Sequence, residues 1–77
     1  MDADMSPSAG ALLREAREAK GLSEKDIADQ LHITVHYVKA LESDQFEKLP
    51  GLVFARGYLK SYAELVQVDK SEVISCF

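Results

Sequence analysis

Apolar residues recur three and four apart along most of this chain, in short runs separated by Ser, Thr, Asp, Gly or Pro. From Ala9 to Lys20 the recurring positions are Leu12, Leu13, Ala16 and Ala19; Ser8 is placed to cap the start and Gly21 to close the end. Ser23 opens a second helix over 24–31, with Asp26 at the third position as an acidic capping box and Ile27, Ala28 and Leu31 as the buried face. Thr34 caps a third helix over 35–43, which faces inward with Val38 and Leu41. Residues 44–51 read as a loop pinned by Phe46 and Leu49 and ended by Pro50-Gly51. A fourth helix is expected over 52–66 and a short fifth over 70–75, capped by Asp69. No β alternation or internal repeat occurs. The pattern predicts an all-α fold, a compact five-helix bundle, with a flexible tail over 1–8 and one domain over 9–77.

The second and third helices form a recognisable unit. In EKDIADQLHITVHYVKALES, residues 24–43, two short helices meet across a three-residue turn. Ala28 sits where only a small side chain fits between them, and Ile27, Leu31, Ile33, Val38 and Leu41 supply the shared core. The Ala28–Val38 spacing is that of a Cro/repressor-type helix-turn-helix. His32 occupies the turn position where glycine is usual, and histidine tolerates the left-handed conformation better than a β-branched residue does. Similarity to the Cro/repressor type also implies that Arg17 on the first helix pairs with Glu42 at the end of the third, as a structural tie.

The fourth helix carries more apolar surface than one core stripe needs. Advancing about 100° per residue from Leu52 gathers Ala55, Leu59, Tyr62, Ala63 and Val66 on the core side. Phe54 and Tyr58, spaced i,i+4, fall on a neighbouring face with Leu65, beside Gly57 and Ser61. Arg56 and Lys60 rise on the far side of the core stripe. Two readings are open: a second buried face, or an aromatic platform for a protein partner. Gly57 favours the platform, because a glycine inside a helix costs about 1 kcal/mol and close approach of another backbone would explain it.

Composition narrows the chemistry. The chain has 77 residues and a net charge of −4. Between residues 24 and 42 two bases face four acids, and the third helix offers Val35, His36, Lys39 and Ala40 to a DNA groove. That surface is poor in base-reading side chains and of the wrong sign for phosphate. His32 and His36 stand four apart but lack a credible third ligand, so no metal is expected. No nucleophile–base spacing or glycine-rich phosphate loop appears, so neither enzymatic activity nor a cofactor is expected. Cys76 is the single cysteine, which excludes an intrachain disulfide and favours a reducing compartment. No apolar run reaches the roughly 18 residues needed to cross a bilayer.

One resemblance spans about residues 10–70. Its residues are Gly10-x-x-Leu13-Arg14-x-Ala16-Arg17-Glu18-x-x-Gly21-Leu22-Ser23, then the helix-turn-helix, Ala40-Leu41-Glu42, Phe46-x-x-Leu49-Pro50-Gly51, and Val53-Phe54-x-Arg56-Gly57-Tyr58-Leu59-Lys60-x-Tyr62-Ala63. Together they resemble the N-terminal cytoplasmic domain of the RodZ family of bacterial cell-shape proteins. The resemblance implies an adaptor at the cytoplasmic face of the inner membrane, binding the actin-like protein MreB. It implies a membrane link through a later transmembrane segment that this chain lacks. It also implies a partner site at Phe54 and Tyr58 on the fourth helix, with Arg56, Gly57 and Lys60 beside them. A DNA-binding regulator is the alternative function, and a homodimer through the aromatic face is a further arrangement.

Overall fold

The structure, a computed structural model, describes residues 8–77. The tail expected over 1–8 therefore lies, apart from Ser8, outside the described residues. Within them the fold is all-helical: α1 Ala9–Ala19, α2 Glu24–Leu31, α3 Val35–Glu42, α4 Leu52–Leu65 and α5 Lys70–Ser75. A short 3-10 turn, Phe46–Lys48, organises part of the segment read as loop.

Side chains written into the sequence start these helices. Ser8 accepts from the Ala11 amide, Thr34 from Tyr37 and Asp69 from Ser71. Ser23 and Asp26 close a reciprocal capping box at 3.0 and 2.9 Å. Four helices end in the same way, with one left-handed residue whose neighbour's amide reaches back to the last turn. Those residues are Gly21, His32, Asp44 and Gln67; the closing bonds run Leu22 to Arg17, Ile33 to Ala28, Gln45 to Ala40 and Val68 to Ala63. Only one of the four is glycine.

The core joins all five helices. Leu13, Ile27, Val38, Leu41, Leu59, Tyr62 and Val73 are fully buried, with Ala28 at the α2–α3 crossing and Ala55 and Ala63 on the inner face of α4. Leu49 is buried beneath the loop, and half-buried Phe46 packs edge-on against the ring of Phe77 at 4.9 Å. At Gly10 the start of α1 presses on the end of α3. A Cβ there would collide with the carbonyl oxygens of Leu41 and Glu42, which are backbone and cannot swing aside. The Gly10 amide donates to the Asp44 carboxylate at 3.0 Å, across the same junction.

Three sequence expectations are corrected. Leu52, taken as the reference for the core stripe of α4, is 67% exposed, because it begins the helix and overhangs the bundle. Ala19 is exposed at the end of α1; the inward line there is Ala9, Leu13 and Arg17. Ala40, expected on the DNA-facing side of α3, is buried: it shares an inward arc with Leu41 and Val38. Among the described residues, no helix is long and apolar enough to cross a membrane.

Candidate functional site

The polar centre of the molecule is structural. Arg17 on α1 is buried and forks onto Glu42 on α3, with Nε to Oε2 at 2.7 Å and Nη2 to Oε1 at 3.2 Å. Its Nη1 donates to the Leu22 carbonyl at 2.9 Å, and the Tyr62 hydroxyl of α4 donates to Glu42 as well. Three helices thus converge on one carboxylate. Burial, then the adjoining Glu42 carboxylate, pushes the Tyr62 phenol far above its ordinary pKa. The hydrogen bond to Glu42 raises Arg17 further, so the guanidinium stays charged. Tyr62 had been read only as core; nothing in its spacing signals that its hydroxyl completes this network.

The helix-turn-helix closes around His32, which adopts φ 58° and ψ 43° and so takes the left-handed turn position without glycine. On its outer surface Lys39 is held by Glu24 at 3.1 Å. Burial opposes ionisation of Glu24, but the contact with the Lys39 ammonium and the attraction of Arg17 outweigh it and lower its pKa. The lysine best placed to meet phosphate is therefore partnered within the domain. His36 stays exposed.

On α4 the aromatic platform is open to solvent. Phe54 is 52% exposed and Val53 83%, and with Leu52 they form three consecutive exposed apolar residues. The Phe54 and Tyr58 rings lie 6.3 Å apart, tilted by 38°. Tyr58 is half-buried and meets Tyr37 of α3 at the same centroid distance, tilted by 31°. The aromatic row is thus Phe54, Tyr58, Tyr37, spanning two helices. Beside it runs a groove of about 380 Å³ lined by Gln30 and Leu31 of α2 and by Val53, Phe54, Gly57, Tyr58 and Ser61 of α4. Gly57 is exposed, and a Cβ built on it would meet nothing within 4 Å. Its lack of a side chain thus answers no packing demand inside the domain.

Several of these participants were absent from the sequence reading. Leu52 and Val53 were not singled out as surface. Tyr37 carried a usable signal, since it falls between Ala40 and Leu41 on the inward arc of α3. Gln30 carried none, and Leu31 reads from its spacing only as part of the buried face of α2, because their relation to α4 depends on how α2 and α4 pack. Arg56 and Lys60 stand apart from the aromatics. They line a different groove with Lys70, Ser71, Ile74 and Ser75, between α4 and α5. The structural residues Ala28, Val38, Arg17 and Glu42 all lie at the helix junctions.

A small all-helical bundle built on a repressor-like helix-turn-helix defines the class. A family model described as a helix-turn-helix domain matches residues 12–73, and the chain belongs to that family. No solved structure matches the chain.

Proposed function

We propose that this domain is a non-enzymatic adaptor that docks the actin-like protein MreB on the aromatic face of α4, as RodZ-type proteins do. In that reading it works at the cytoplasmic face of the inner membrane and links the filament to the membrane for maintenance of rod shape. The observation that carries the proposal is the exposed Val53–Phe54 step with Tyr58 and the bare Gly57 beside it. Aromatic anchors next to a residue with no side chain suit a partner that must approach closely.

Co-sedimentation with MreB filaments tests it. Phe54→Ala with Tyr58→Ala should abolish co-sedimentation while helical circular dichroism is retained. Because Tyr58 also packs on Tyr37, Val53→Asp is a second variant confined to exposed surface, and it should weaken binding alone. Filament binding that survives in both folded variants rejects the site. Self-association through the same face would instead appear as concentration-dependent sedimentation without MreB.

The helix-turn-helix fold is the observation that favours a second reading, duplex DNA binding. That reading requires retardation of a duplex at micromolar protein, with affinity falling steeply as salt rises. The paired Lys39, the buried Ala40 and the net charge of −4 count against it.

A further inference from the structure

The groove between α4 and α5 gathers three cations around an apolar residue. It measures about 550 Å³ and is lined by Arg56 and Lys60 of α4 and Lys70, Ser71, Ile74 and Ser75 of α5. Three cations and no carboxylate line it, on a chain whose net charge is −4. Among the described residues Arg56 and Lys60 form no ion pair; Lys70 reaches Glu64 at 3.5 Å, and both of those side chains are half or more exposed. Such a pair is weak and readily exchanged. Ile74 is partly buried and packs against the core, giving the groove an apolar patch.

We infer that this groove is a second docking surface, distinct from the aromatic face, for an acidic peptide segment carrying an apolar anchor. Carboxylates would meet Arg56, Lys60 and Lys70 while one aliphatic side chain covers Ile74. The shape and the charge distribution choose this occupant. Screening confines the pull of the three cations to about 8 Å in physiological salt, which a short peptide enters completely. A duplex or an anionic bilayer presents charge over a much wider area and meets the repulsion of the remaining acidic surface. A bilayer is also flat where the groove is concave.

The test is a titration of the full chain followed by amide chemical shifts. The probe is a short Glu-rich peptide with one leucine, compared with the same peptide carrying Gln for Glu. Saturable shifts are expected at Arg56, Lys60, Lys70 and Ile74 with the acidic peptide and not with its neutral counterpart. Arg56→Glu with Lys60→Glu should weaken binding at least about 10-fold, because like charges then face each other. Phe54→Ala should leave it unchanged, which separates this surface from the one proposed for MreB. Absence of saturable shifts, equal shifts with the neutral peptide, or loss of binding in Phe54→Ala overturns the inference. So does a response of these amides to phosphatidylglycerol vesicles or duplex DNA when the peptide gives none.

Discussion

Gly57 illustrates how one residue separates a demand of folding from a demand of binding. It sits inside α4, exposed, with open space where a Cβ would stand. Gly57→Ala should therefore stabilise the domain by about 1 kcal/mol, seen as a higher melting temperature. If the proposed partner approaches closely there, the same variant should bind MreB more weakly, so stability and binding move in opposite directions. Glu42 is the converse case, a residue the fold cannot lose. Its side chain is 5% exposed and holds both Arg17 and Tyr62. Glu42→Gln leaves the buried guanidinium with only the exposed Glu18 carboxylate at 3.9 Å as counter-charge and should cost up to about 3–5 kcal/mol. A 77-residue domain has roughly 4–12 kcal/mol in all, so this variant should lose a large fraction of its stability, read as a much lower urea midpoint. Tyr62→Phe leaves the Arg17–Glu42 pair in place and should cost less, roughly 1.5–3 kcal/mol.

At the scale of elements, the helix ends are where stability remains to be gained. His32, Asp44 and Gln67 are L-residues in the left-handed region, a conformation that costs roughly 1–2 kcal/mol relative to the right-handed one for most side chains. His32→Gly should raise the urea midpoint, by up to about 1 kcal/mol in stability, with the helical spectrum unchanged; Gln67→Gly should gain less, because the Gln67 side-chain carbonyl accepts from the Lys20 ammonium at 2.8 Å. Asp44→Gly should not gain, because the Asp44 carboxylate also accepts the Gly10 amide and joins α1 to α3. The capping box of α2 gives a pH prediction. Hydrogen bonds from the Ser23 backbone and side chain hold the Asp26 carboxyl below its usual range. A depressed folded-state pKa means the stabilisation is present above the unfolded-state value and fades as pH falls through the folded one. The difference in urea midpoint between wild type and Asp26→Ala should thus be full at neutral pH and fade as pH falls below the usual carboxylate range.

Across the whole molecule, the helix-turn-helix serves as a scaffold. Arg17, Glu42 and Tyr62 lock α1, α3 and α4 into one arrangement, and Tyr37 of α3 extends the aromatic row that α4 begins. The opposite flank of α4, packed beside α5, carries the cations. One helix thereby presents two surfaces of different chemistry. Gly10 controls the docking that makes this possible. Gly10→Ala should cost about 1–3 kcal/mol or more, measured by denaturant unfolding, since α1 must back away from the end of α3.

Periodicity alone determined much of this. The 3.6-residue repeat, the capping residues Ser8, Ser23, Thr34 and Asp69, and the Ala28–Val38 spacing specify local geometry, and local geometry is written in neighbouring residues. The i,i+4 spacing of Phe54 and Tyr58 likewise made their adjacency legible. Tertiary structure alone decided which faces stay open. Leu52 satisfies the core periodicity of α4 yet overhangs the bundle, and Ala40 looks like surface until α3 is packed. Gln30 and Leu31 join Phe54 only through the packing of α2 on α4, and Lys70 joins Arg56 and Lys60 only through the return of α5. Exposure is a property of what neighbours cover, and those neighbours lie far away along the chain.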